Sequence, residues 1–256
     1  MDRSNYATIR KLVDLAALGV ALGPLDRTDR HRWGVSLTSG LMETPTRIRF
    51  TLESLHPYIF AETFLYDIHY PGADVRGRTV VDAGAFVGDT ALYFAALGAR
   101  VHSYEPEPGN LLRLRQNLVL NPNLAAAVTA YPEAVGADGT VRFSVGEGGG
   151  GSTFGDSPVS VPTPAVSLRT ILNRIDGPPY LLKVDCKGAE FDLVRQPALG
   201  EFSVVHIEYA ADFRPGRTVG ELVQGLRDAG FSRIRRFKHN WGGYDFEICG
   251  MIHAER

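Results

Sequence analysis

The chain has 256 residues, 44% of them apolar and 22% charged, which is the composition of a folded domain and not of a disordered chain. Lys plus Arg number 27 against 29 Asp plus Glu, a net charge of -2, which speaks against a nucleic-acid grip built on a broad basic face. Two cysteines exclude a disulfide framework, no cysteine–histidine cluster has zinc spacing, and the longest apolar stretch, Leu12 to Leu22 with Asp14 inside it, is shorter than the roughly 20 residues of a membrane span.

The first segment, Asn5 to Leu22, places Ile9, Leu12, Val13, Leu15, Ala16 and Leu18 at helical spacing, and Gly23-Pro24 ends it. Leu52 to Tyr70 is rich in aromatics, with Tyr58, Phe60, Phe64, Tyr66 and Tyr70. Residues 1–75 therefore read as an irregular helical cap or extension, and 76–256 as a second, regular domain. From Arg78 strands and helices alternate. Strands are expected at 79–83, 100–105, 128–131, 180–186 and 203–209, with helices at 90–97, 110–120, 189–195 and 218–229. Thr218 and Glu221 have capping-box spacing at the start of the last helix. Such alternation implies an α/β fold with a mostly parallel sheet covered on both faces. The closing strands, 234–238 and 246–253, are too close for a crossover helix and should form an antiparallel hairpin. Residues 136–166 interrupt the alternation. Thr140 to Val145 reads as one extra strand, Gly148 to Gly151 as a flexible stretch, and Pro158, Pro162 and Pro164 as its stiff exit; the whole reads as a surface loop or as a flap over a site.

The chemistry concentrates at Val80 to Asp89, VVDAGAFVGD. In an open α/β sheet the ligand crevice lies at the carboxyl ends of the strands. Asp82 stands at such an end, Gly84 and Gly88 allow close backbone approach, and Ala85, Phe86 and Asp89 share the loop. A dinucleotide fingerprint needs G-x-G-x-x-G and room for a pyrophosphate. Here the glycines are four apart and Asp82 would repel a pyrophosphate, which counts against a nicotinamide-binding oxidoreductase, the remote alternative. The pattern suits the amino-acid part of S-adenosylmethionine. Glu105, ending the second strand, can accept hydrogen bonds from ribose hydroxyls.

Three stretches then resemble the FkbM family of S-adenosylmethionine-dependent methyltransferases: VVDAGAFVGDTALYFAALGA, VHSYEPEPGNLLRLRQNLVLN and LLKVDCKGAEFDLV. The most specific parts are Tyr104-Glu105-Pro106 with Asn110 and Asn117, and Lys183-Val184-Asp185 with Gly188-Ala189-Glu190. The resemblance implies a class I, Rossmann-like methyltransferase sheet. It also implies S-adenosylmethionine as cofactor and a hydroxyl of a small molecule, of sugar or natural-product type, as acceptor. An amine of a small molecule or amino acid is the nearer alternative. The Asn/Asp-Pro-Pro-aromatic run of many amino methyltransferases is replaced here by Asp185-Cys186-Lys187-Gly188. Family members commonly have an acid where Lys187 stands, so a role for that acid does not carry over.

Expected cofactor contacts are Tyr70 from the cap, Asp82, Gly84, Ala85, Phe86, Gly88, Asp89, Glu105, Pro106, Ala134 after the third strand, and Asp185. Asp185, Glu190 and Glu208 are the expected catalytic acids, because an unactivated hydroxyl benefits from a base. Lys187 can hold Asp185 ionised by pairing. Cys186 and Cys249 read as small apolar strand residues. No metal site is expected, and neither a nucleic-acid nor a membrane partner. With no signal-peptide core after Met1-Asp2-Arg3-Ser4, a cytoplasmic protein is expected.

Overall fold

The computed structural model describes residues 34–36, 40–44, 46–64, 68–69, 74–144, 153–154, 160–211, 214–237 and 245–256. The helix expected over 5–22, the Gly148–Gly151 stretch, the turn at 239–244, Tyr66 and Tyr70 lie outside these residues.

Strands β1 (Gly34–Ser36), β2 (Leu41–Glu43) and β3 (Arg49–Thr51) form a small antiparallel sheet, followed by helix α1 (Pro57–Phe64). The described part of the expected helical cap thus carries three short strands beside its helix, a correction to the reading of residues 1–75 as helical. Three-residue strands are too short to display a period of two, so no alternation marked them. Met42, Ile48, Phe50 and Phe60 pack there against Val87 and Leu92, which belong to the loop and helix after the first strand of the main sheet.

The main sheet starts with β4 (Thr79–Ala83), followed by α2 (Asp89–Ala96), β5 (Arg100–Tyr104), α3 (Pro108–Leu120), α4 (Pro122–Ala125) and β6 (Val128–Tyr131). Helix α3 starts two residues before the expected Asn110. The Glu107 carboxylate accepts from the N–H groups of Gly109 and Asn110, and Pro108 fits the first turn, where no N–H is needed. Asn117 of α3 and Asn121, which caps the end of that helix, are buried and tie the cap down. Asn117 accepts from the Thr51 N–H at 3.0 Å and donates to the Val87 carbonyl at 2.9 Å, while Asn121 accepts from the Arg49 N–H at 2.9 Å.

A second sheet interposes. Strands β7 (Ala134–Val135), β8 (Gly139–Ser144), β9 (Thr153–Phe154) and β10 (Ser160–Val166) assemble in the order β7-β10-β8-β9. Residues 160–166 are therefore strand and not the exit of a loop. Pro162 and Pro164 are accommodated because β7 reaches only Ala165 and Val166, leaving them on an open edge.

After α5 (Leu168–Leu172) come β11 (Pro179–Val184), α6 (Glu190–Leu193), β12 (Val204–Ala210), α7 (Val219–Asp228), β13 (Arg233–Phe237) and β14 (Cys249–Glu255). The sheet order is β13-β14-β12-β11-β4-β5-β6, parallel from β12 to β6, with β14 antiparallel to both neighbours. The expected terminal hairpin is present, with its second strand three residues later than read. In α7 the Glu221 carboxylate accepts from the Thr218 N–H at 3.2 Å, as the capping-box spacing implies. Among the described residues no helix is long and apolar enough to cross a membrane.

The register aligns one polar row across the sheet. Ser103, Asp82, Lys183, His206, His253 and Arg235 are successive cross-strand partners from β5 to β13, and the first five are buried. Partners at one level project from one face. The row just beneath the carboxyl ends of the strands is therefore ionic, while Val81, Leu182 and Val205 supply the apolar core on the opposite side.

Candidate active site

A cavity of about 210 Å³ opens at the carboxyl ends of β4, β5, β11 and β12. Its base is the joint between the turns after β4 and β11. Gly84 has φ +81°, and a Cβ there would stand 2.0 Å from the Asp185 carbonyl oxygen, so the two turns touch through backbone. The Asp185 N–H closes the joint on the Ala83 carbonyl at 2.9 Å. Phe86 holds φ +48°, unusual for a residue with a side chain, and its N–H donates to Glu105 Oε2 at 2.8 Å. Gly88, with φ +86°, is closed off by Leu114, whose Cγ would lie 2.9 Å from an added Cβ. Glycine at 88 thus serves the packing of α2 on α3.

Glu105 is the organising acid on this side. Its other oxygen accepts from the Glu107 N–H at 2.9 Å, and it is 5% exposed. Burial pushes its pKa up to about 7, against the pull of these two N–H groups. The folded chain therefore keeps a proton that the unfolded chain releases between the ordinary value of 4.5 and about 7. Stability from this group is greatest at low pH and falls as pH rises through that window. Glu105→Gln, which does not titrate, should gain stability relative to the wild type in urea unfolding between about pH 5 and about pH 8. A difference that stays constant with pH would contradict the environment assigned to Glu105.

Asp89 lies at the start of α2, accepts from Thr63 Oγ1 at 2.8 Å and lines the cavity. Burial raises its pKa to about 7, with Lys183 opposing. Asp82 departs from expectation. Its carboxylate is wholly buried and does not line the cavity. One oxygen pairs with Lys183 Nζ at 3.1 Å and the other accepts from Thr90 Oγ1 at 2.8 Å. Lys183, 3% exposed, lines the cavity in its place and donates to the Gly84 carbonyl at 2.7 Å. Burial works against its charge, but Asp82, Asp185 and Asp89 outweigh that and raise its pKa. Asp82 is thus the counter-ion that seats Lys183.

Beyond β11, Lys187 Nζ pairs with Asp185 Oδ1 at 2.8 Å and with Glu208 Oε1 at 3.0 Å, and all three side chains line the cavity. Burial alone would raise the Asp185 pKa, but Lys187 and then Lys183 hold it below the ordinary carboxylate range. Burial opposes the Lys187 charge, and the two carboxylates drive its pKa well up. Glu190, expected as a catalytic acid, is a correction. It is fully buried and absent from the cavity wall, accepting from the N–H groups of Gly188 at 2.6 Å and Ala210 at 3.2 Å. Burial raises its pKa to about 7. Its work is to fasten the 185–190 turn to the end of β12. Arg214 clasps the same turn through the Gly188 carbonyl at 2.8 Å.

Of the expected cofactor residues, Gly84, Phe86, Asp89, Glu105, Pro106, Ala134 and Asp185 line the cavity; Asp82, Ala85 and Gly88 stand behind it. Residues that sequence reasoning missed are His56, Ile59, Glu62 and His69 of the cap, with Lys183 and Cys186. Cys186 follows β11 and faces the cavity, where burial raises its thiol pKa, so it is not the strand residue expected. Lys183 carried a usable signal: it is two residues before Asp185 on a strand, hence on the same face. The cap residues carried none.

The strand order, the left-handed turn after β4 and the buried acid ending β5 define the class I methyltransferase architecture. Residues 82–233, more than half of the chain, match the Methyltransferase FkbM domain, and the chain belongs to the FkbM methyltransferase family. Solved structures similar to it include an FkbM methyltransferase from Methylobacillus flagellatus, 18% identical over 94% of this chain and 60% of that one, with a TM-score of 0.49. Magnesium protoporphyrin IX methyltransferase from Synechocystis, solved with bound S-adenosylmethionine, is 14% identical over 76% of this chain and 77% of that one, with a TM-score of 0.47. Precorrin-6y C5,15-methyltransferase from Geobacter metallireducens is 15% identical over 72% and 83%, with a TM-score of 0.42. A comparison with curated proteins gives no match.

As in the family, the cofactor is S-adenosylmethionine. The cavity fits it on chemistry: Glu105 can accept from hydroxyl groups, Ala134 and Val135 offer an apolar wall, and Asp89 beside Lys183 suits a group carrying both charges.

Proposed function

We propose that the chain methylates a hydroxyl group of a small molecule, of sugar or natural-product type. The observation that carries this reading is the wall on which Asp185 and Glu208 share one ammonium, that of Lys187. Bound S-adenosylmethionine supplies a methyl group on a sulfonium that departs as a neutral thioether when the carbon–sulfur bond breaks and the carbon–oxygen bond forms. Glu105 would hold the ribose hydroxyls, Ala134 and Val135 would flank the base, and Asp89 and Lys183 would meet the amino-acid end. The chain's remaining tasks are to orient the acceptor and to take its proton. Orientation can lower the barrier by about 7–11 kcal/mol, and a base adds typically 10²–10⁴-fold. Two carboxylates on the acceptor side suit a polyhydroxylated molecule and disfavour a nucleic-acid phosphate or an anionic membrane surface.

The test is incubation with S-adenosylmethionine carrying a deuterated methyl group, against a panel of sugars, phenols, polyketide-type alcohols and amines. Mass spectrometry with fragment localisation should find the label on oxygen. Label on nitrogen alone would replace this reading with the amine alternative.

A further inference from the structure

Lys187 occupies a prepared position. The turn that carries it is held at Asp185 by Ala83, at the Gly188 N–H by Glu190 and at the Gly188 carbonyl by Arg214. Gly188 has φ +98°, a backbone state that suits glycine, so the chain turns sharply directly after the lysine. The ammonium then reaches one oxygen of each of two carboxylates, Asp185 in the turn after β11 and Glu208 on β12. An ammonium has three N–H donors, so two such contacts leave one for a further acceptor. The side chain is 23% exposed and faces the cavity.

We propose, resting on the reading of this site as a methyl-transfer centre, that Lys187 selects oxygen acceptors by donating its third N–H to the acceptor's hydroxyl oxygen while Glu208 accepts that hydroxyl's proton. A hydroxyl oxygen has two lone pairs and one proton. One lone pair accepts from Lys187, the second attacks the methyl carbon, and the proton passes to a Glu208 carboxylate oxygen. A neutral amine has a single lone pair. An amine that accepts from Lys187 has none left for attack, and one that attacks must turn an N–H toward the ammonium, so the same arrangement disfavours nitrogen. Asp185, acted on by both Lys187 and Lys183, keeps the ammonium in place, and Glu208, which lines the cavity on β12, acts as the base. Lys187 also steadies the negative charge that the oxygen gains while its proton moves to Glu208, a charge that is consumed as the carbon–oxygen bond forms.

The geometry has a consequence that needs no acceptor. An attacking oxygen stands about 3–3.5 Å from the carbon it attacks. An ammonium bonded to that oxygen therefore lies within about 6 Å of the methyl position, where a second cation is repelled. Sinefungin carries an ammonium at that position and S-adenosylhomocysteine carries nothing there. The measurement is the ratio of their affinities by calorimetry in the wild type, Lys187→Met, Lys187→Arg and Glu208→Gln. Lys187→Met should shift the ratio toward sinefungin by at least about tenfold, Lys187→Arg should restore it, and Glu208→Gln should shift it about tenfold the other way. A ratio unchanged in Lys187→Met or in Glu208→Gln overturns the proposal, since the charges would then lie away from the reacting carbon. Wild-type protein that binds neither compound overturns the methyl-transfer reading itself, a result distinct from an unchanged ratio. Glu208→Gln keeps the test alive should Lys187→Met fail to fold.

Discussion

Gly84→Ala should cost about 3 kcal/mol or more of stability and at least about a hundredfold in affinity for S-adenosylhomocysteine. Two costs add. Alanine at φ +81° pays about 1–2 kcal/mol for a left-handed backbone, and its Cβ would lie 2.0 Å from the Asp185 carbonyl oxygen. The obstructing atom is backbone, so no rotamer relieves the overlap, and the β4 and β11 turns must part. Because the cavity is built on that joint, binding should fall with stability. Gly177→Ala is the matched control, with φ +86° and nothing within 4 Å of the added Cβ. It should lose only the backbone cost, about 1–2 kcal/mol, and keep its affinity. Urea midpoints and calorimetry on the two variants check both parts. Equal losses in the two would show that the contact with Asp185 does not matter.

Lys183→Met should be strongly destabilising, since both members of its ion pair are buried. Lys183 and Asp82 are both buried, and losing the lysine strands the Asp82 carboxylate with only the Thr90 hydroxyl. Breaking such a pair costs about 3–5 kcal/mol, whereas replacing both partners with uncharged residues is often close to neutral. The double variant Asp82→Asn, Lys183→Met should therefore be more stable than Lys183→Met alone, since asparagine can still accept from Thr90. Denaturant titrations across the four members of this cycle measure the coupling. A double variant less stable than the single one would contradict the role of Asp82 as counter-ion.

The place of Asp82 is only partly legible in the sequence. The glycine spacing around it, Glu105 and the strand–helix alternation were enough for the sheet, the cofactor and the end of the sheet where the cavity opens. That Asp82 faces Lys183, rather than a ligand, depends on the β4–β11 register, between strands about a hundred residues apart in sequence. A strand shifted by one residue would reverse every side chain, and nothing local specifies that pairing. The place of Glu190 is hidden from the sequence for a related reason. Its partners are the Gly188 and Ala210 N–H groups, and backbone donors have no sequence signature. The cap was legible only as an aromatic-rich segment, and the contributions of His56, Ile59, Glu62 and His69 to the cavity depend on how that segment is laid over the sheet. Lys187 was the reverse case. Its pairing with Asp185 was anticipated from adjacency, while its second carboxylate, Glu208, became visible only when β12 was placed beside β11.

The central claim is that the cavity at the strand ends holds S-adenosylmethionine with Glu105 as its ribose acceptor. Calorimetric titration of S-adenosylhomocysteine into wild-type protein and Glu105→Ala tests it most directly. At about pH 8, above the Glu105 pKa of about 7, one site per chain is expected in the wild type, weakened at least about tenfold in the variant, the loss of a charge-assisted hydrogen-bond acceptor. No heat from either S-adenosylhomocysteine or S-adenosylmethionine, or an affinity that Glu105→Ala leaves unchanged, would contradict the account.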